Sequence, residues 1–176
     1  IKRPLFIIAE NRDKAKDWYY DLRLFFSRNN LALLTEPKKN VRFEAENLDE
    51  KAVWLVDGLS IMLENEAPIA ITTPDIWDIE VPKPEFVSKF KMSLHKNQHL
   101  NYEQFVKDLS LQGFERKEFV SSPGEIAVRG GIVDIYPVGW ENPVRIEFWR
   151  DDVESIREFN SLSQRSIKIF DKVEFV

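Results

Sequence analysis

Gly124-Glu125-Ile126-Ala127-Val128-Arg129-Gly130-Gly131-Ile132-Val133-Asp134-Ile135-Tyr136-Pro137 reads as a β-hairpin. Two apolar runs flank a Gly-Gly pair, and a two-residue hairpin turn needs positive φ at its centre, which glycine supplies without strain. With Gly130 and Gly131 at the tip, Val128 faces Val133 and Ile126 faces Ile135. Those four share one face, expected to pack against a helix. The opposite face carries Ala127, Arg129, Ile132, Asp134 and Tyr136. A slip of one residue would turn the whole apolar set outward, so the register is well specified.

The following segment, Val144 to Trp149, sorts the same way, with Val144, Ile146 and Phe148 inward and Arg145, Glu147 and Trp149 outward. Beyond Asp151-Asp152, Val153, Ile156 and Phe159 are spaced by three, which signals a bulge or bend. One sheet face therefore displays Arg129, Arg145, Glu147 and Trp149 away from the core. Trp and Arg are enriched among interface anchors, and Trp is rarely left bare. The pattern alone leaves two readings open: a solvated face with an aromatic lying across it, or a binding site.

Upstream of the hairpin, Asn101 is an N-cap, with Gln104 three residues later and Tyr102, Phe105, Val106 and Leu109 as the apolar positions of a helix that Gly113 ends. Before it, Phe90, Met92 and Leu94 alternate with polar residues as in a strand. The character changes at Pro82-Lys83-Pro84. Ahead of that point, strand and helix alternate. Pro4 to Ala9 is an apolar run expected to be a strand buried on both faces. Asn11 caps a helix with the stripe Ala15, Trp18, Tyr19, Leu22, Phe25 and Phe26. Leu31 to Leu34 is a second strand. A polar stretch around Lys38 to Glu46 precedes a helix from about Asp49 to Glu64, striped by Ala52, Leu55, Val56, Leu59, Met62 and Leu63. Ile69 to Thr73 is a third strand, stopped by Pro74. The fold class expected is thus a small parallel α/β half over residues 1–86, then an α+β half over 87–176 with one helix on an antiparallel sheet.

The 176 residues are 43% hydrophobic, enough for one large domain or two small ones. Acids outnumber bases by 30 to 25, a net charge of -5, so nucleic acid is not expected as the direct partner. The absence of cysteine excludes disulfides and thiolate zinc sites and fits a reducing compartment. No run has the length of a membrane span, and the N-terminus lacks the shape of a signal peptide. The chain reads as a piece of a longer protein.

The hairpin segment, then Val144-Arg145-Ile146-Glu147-Phe148-Trp149, Val153-Glu154-Ser155-Ile156-Arg157 and Gln164-Arg165-Ser166, in that order, resembles the N-terminal UvrB-homology region of bacterial transcription-repair coupling factor (Mfd). The resemblance implies a UvrB domain 2-like module over 87–176 that binds UvrA. An arginine of the hairpin, then an arginine and an aromatic of the next strand, make the contact in the family. Those positions hold Arg129, Arg145 and Trp149 here, with Glu147 between the last two; the aromatic is commonly Phe. UvrB itself is the alternative, but it carries a further arginine where this chain has Ala127 and a polar or acidic residue at the place of Gly131. Pro4 to Glu10 and Ile69 to Asp75 resemble early motifs of a helicase-type domain, the UvrB domain 1a-like region, in eroded form. A nucleic-acid-binding helicase-like fragment is therefore a second alternative. The parent would be an ATP-dependent DNA translocase of the bacterial cytoplasm, acting on RNA polymerase and DNA through other parts and masking this face until it engages polymerase.

No chemistry is expected of the fragment itself. The six glycines, Gly58, Gly113, Gly124, Gly130, Gly131 and Gly139, form no phosphate loop, so no cofactor is expected and ATP belongs to the parent's motor domains. His95 and His99 flank a strand end with no third ligand in reach, so no metal is expected. Asp151 and Asp152 sit at a turn, where Asp serves local hydrogen bonding.

Overall fold

The computed structural model describes residues 3–35 and 50–176. The polar stretch Lys38 to Glu46 and the expected helix start at Asp49 lie outside the described residues. The first half holds β1 (Leu5–Ile8), α1 (Arg12–Leu22), β2 (Leu31–Leu34), α2 (Glu50–Glu64) and β3 (Ile69–Thr72). Its three strands form a parallel sheet in the order β1-β3-β2. Every residue of β2 is buried, as are Ala70, Ile71 and Thr72 of β3. β1 corrects the expectation of burial on both faces, because Leu5, Phe6 and Ile8 are all exposed. It pairs only with β3 and so lies at the sheet edge among the described residues.

Asn11 caps α1 as expected, its side chain accepting from the Lys14 N–H at 3.0 Å. The buried stripe is narrower than its apolar positions suggest. Ala15 and Tyr19 are buried, whereas Trp18, Phe25 and Phe26 are exposed. The helix ends at Leu22, so the two phenylalanines lie beyond it and do not follow its periodicity.

α3 (Pro84–Lys89) follows Pro82 and Lys83. Phe90 caps it and packs on Phe86 with ring centroids 4.7 Å apart, which corrects its assignment to a strand. The alternation begins only at β4 (Met92–His95). α4 (Tyr102–Leu111) starts at the Asn101 cap, whose side chain accepts from the Gln104 N–H at 2.8 Å. Then come β5 (Glu115–Arg116), β6 (Glu125–Arg129), β7 (Ile132–Tyr136), β8 (Val144–Trp149), β9 (Asp152–Phe159), β10 (Ser166–Phe170) and β11 (Lys172–Phe175). Strands β10-β9-β8-β7-β6-β5 form one sheet, antiparallel except for the β5–β6 pair; β11 pairs with β4 separately. The anticipated fold class, a parallel α/β half followed by an antiparallel sheet with a packed helix, holds.

The hairpin register is the one read from the sequence: Val128 opposite Val133, Ile126 opposite Ile135. Ile126, Val133, Ile135, Val144, Ile146 and Ile156 are buried in one cluster with Phe105 and Leu109 of α4. The turn differs in detail from a pair of positive φ angles. Only Gly130 has one, +59°. Gly131 is needed for clearance, since a Cβ there would lie 2.5 Å from the Phe148 carbonyl oxygen. The Phe148 N–H donates back to the Gly131 carbonyl at 2.7 Å, so the two backbones cannot separate without breaking this bond. Gly131→Ala is therefore expected to cost about 1–3 kcal/mol, as overpacking does. Gly130→Ala, with open space around it, should cost about 1–2 kcal/mol from φ alone. Chemical denaturation of the two variants would rank them.

The seam between the halves is polar as well as apolar. Ala52, Val53 and Val56 of α2 share a buried cluster with Val87, Phe90, Val138 and Val176. Around it, Arg28 Nη2 donates to Asp57 Oδ1 at 2.6 Å and to the Val138 carbonyl at 3.0 Å, and Arg23 donates to the Gly139 carbonyl. Burial pushes the Asp57 carboxyl up from its usual range, against the pull of Arg28. Lys91 Nζ bridges Glu64 of α2 and Glu174 of β11 at 2.8 and 3.2 Å. Gly139 sits at φ +73°, and a Cβ there would come within 2.9 Å of the Tyr19 hydroxyl and 3.2 Å of Asp57. Gly139→Ala is expected to lower stability by about 1–3 kcal/mol, through left-handed strain plus crowding. A lowered Tm with hairpin chemical shifts unchanged would place the damage at the seam.

Candidate functional site

The outward positions of β6, β7, β8 and β9 come together on the sheet face opposite α4. The register sets Asp134 beside Ala127 on one flank and Arg145 on the other, with Arg157 next along. Ile132 stands between Arg129 and Glu147. A residue shift at Glu147/Phe148 accounts for the spacing by three on β9. It lets Val153 and Ile156 both join the α4-side core, while Phe159 falls on the outward face.

That face is not uniformly solvated, as its outward register alone would suggest. Val120 and Phe159 bury Ala127, with Tyr136 packed alongside. Asp134, read only as one of the outward residues, is 1% exposed. Its Oδ1 accepts from Arg145 Nε at 2.6 Å, and its Oδ2 from Arg145 Nη2 at 2.7 Å and Arg129 Nη2 at 2.5 Å. One buried carboxylate thus holds both arginines, Arg145 through a two-pronged fork. This bond is the leading influence on Arg145 and raises its pKa above the ordinary arginine value.

Each guanidinium also lies over a ring, Arg129 over Phe119 at 5.0 Å and Arg145 over Phe159 at 4.3 Å. Gln164 Oε1 accepts from Arg145 Nη2 at 2.7 Å, and the Glu118 carbonyl from Arg129 Nη1 at 3.0 Å. Arg145 keeps only 13% of its side chain exposed, and Arg129 33%. Glu147 accepts from Ser155 Oγ at 2.6 Å and pairs with Arg157. Trp149 is 64% exposed at the end of β8. Of the four residues singled out from the sequence, then, Trp149 is open, Arg129, Arg145 and Glu147 are engaged with neighbours, and all four share one face. Asp134, Phe119, Phe159 and Gln164 complete it and were given no role from the sequence. Alignment of Val133 with Ile146 across β7 and β8 would have put Asp134 opposite Arg145.

The two histidines have other neighbours. His99 Nδ1 lies 2.8 Å from Asp152 Oδ1, and His95 Nε2 lies 3.5 Å from Ser93 Oγ. The bond to Asp152 raises the His99 pKa. Asp151 Oδ1 accepts from the Tyr102 N–H at 3.0 Å, tying the start of α4 to the β8–β9 turn. No helix among the described residues is long and apolar enough to cross a membrane.

A sheet sealed on one side by a helix, with a fixed guanidinium pair and an open indole on the other, has the make-up of an interaction module. Residues 92–176 match the model of the UvrB interaction domain. The resemblance to coupling factors read from the sequence is borne out for this chain. It is 32% identical to the transcription-repair-coupling factor of Bacillus subtilis over 166 residues, 94% of this chain and 14% of the relative. It is 24% identical to UvrABC system protein B of Thermosipho africanus over 98% of this chain and 28% of the relative. The coupling factor of Borreliella burgdorferi is 38% identical over 85 residues, 48% of this chain and 8% of the relative. The chain thus spans well under a third of the length of these relatives.

Proposed function

We propose that this chain docks UvrA, using the face formed by Arg129, Arg145, Glu147 and Trp149, as part of a transcription-repair coupling factor. The observation that carries the proposal is the pairing of a fixed arginine pair with an exposed tryptophan on the free face of a UvrB interaction domain. Such anchors dominate protein interfaces when a partner covers them. The higher identity to coupling factors than to the B subunit, and Ala127 and Gly131 in the hairpin, favour a coupling factor over UvrB as the parent. In that setting the parent engages stalled RNA polymerase on DNA in the bacterial cytoplasm, its ATP-dependent translocase lies in other domains, and this face recruits the excision machinery. Docking itself needs no cofactor.

Titration calorimetry of the chain into purified UvrA, repeated with UvrB as competitor, tests partner and surface together. The expected result is one binding event that UvrB abolishes. Absence of binding, or binding indifferent to UvrB, would overturn the proposal.

A further inference from the structure

We infer that Asp134 is a positioning residue for docking: it fixes the separation and orientation of the two guanidinium groups before a partner arrives. The inference rests on the proposed docking of UvrA and goes beyond it, because Asp134 is too buried to reach a partner itself. Its carboxylate takes three hydrogen bonds from two arginines that belong to different strands. A free arginine has a large rotamer entropy to lose on being immobilised. Here that loss is already incurred on folding, which favours tight association.

The geometry also leaves the pair able to bind. Arg145 has Nε and Nη2 engaged, and Arg129 has Nη1 and Nη2, while Arg145 Nη1 and Arg129 Nε have no partner among the described residues. Two guanidinium charges against one carboxylate leave the cluster at net +1. The complementary surface is therefore one of carbonyl or carboxylate oxygens beside an apolar slot for Trp149. A purely structural ion pair would place the same three groups together, so the test must separate the two roles.

Asp134→Asn keeps the shape and removes the charge. Its affinity for UvrA should fall at least tenfold at a temperature where circular dichroism shows it fully folded. In the same variant the Arg145 Nε–H resonance should move to the position of a solvent-exposed arginine. Asp134→Asn added to Arg145→Ala should recover part of the lost Tm, by removing a buried charge left with only the Arg129 donor, and recover none of the lost affinity. If Asp134→Asn does not fold, Asp134→Glu serves instead: it keeps the charge and displaces the arginines, and the same tenfold loss is expected. A folded variant with wild-type affinity overturns the inference. If Arg129→Ala, Arg145→Ala and Trp149→Ala also bind normally, the docking reading itself falls.

Discussion

Arg145→Ala should lose stability and UvrA affinity together. The substitution removes two of the three donors to Asp134, a carboxylate at 1% exposure, and uncovers the Phe159 ring. Breaking a buried pair from one side typically costs about 3–5 kcal/mol. Arg129 still holds Oδ2, so about 2–4 kcal/mol is expected here, a fall in Tm of roughly 6–12 °C for a chain of this size. An outward register by itself would predict an unperturbed fold. The structure corrects that for Arg145, whose side chain is mostly covered. Affinity must accordingly be measured at a temperature where the variant is folded, and it should still drop by about 1–2 kcal/mol or more. A variant with wild-type Tm would contradict the buried fork.

Trp149→Ala should separate the two effects. The indole is 64% exposed, so truncation should change stability by no more than about 0.5 kcal/mol. Its burial by a partner would make it an anchor, and its loss should weaken UvrA binding by about 2 kcal/mol, some thirtyfold. Trp149→Phe, which keeps an aromatic ring at this position, should keep most of the affinity. Equal affinities for wild type, Trp149→Ala and Trp149→Phe would remove Trp149 from the interface. Comparison with Arg145→Ala is informative because Trp149 lies four residues further along the same strand and face.

The hairpin was legible because its signals are local and mutually consistent. A glycine pair marks the tip, a two-residue period assigns the faces, and the same period continues into Val144 to Trp149. The Asn101 cap and the bulge on β9 were legible for the same reason. What escaped depends on contacts far apart in the chain. The apolar run of β1 looks like that of β2, and only the strand order reveals that one is an edge and the other buried. Phe90 continues an alternation on paper, yet Phe86 one helical turn earlier claims it. Asp134 looked like any acid on a solvated face. It is buried all the same, and its role comes from Arg145 on the neighbouring strand and Arg129 at the hairpin tip.

The pairing of β4 with β11 has a mechanical consequence. Met92 lies opposite Phe175 and His95 opposite Lys172, so the chain enters and leaves the interaction domain side by side. A domain joined at one such point can sit within a longer polypeptide without threading through it. The same arrangement determines how the domain bears tension. A pull applied across residues 92 and 175 would load the hydrogen bonds of this short ribbon one after another, as a zipper is opened, and not all at once. The ribbon would yield first under force, while the six-stranded sheet that carries Arg129, Asp134, Arg145 and Trp149 would stay folded behind it.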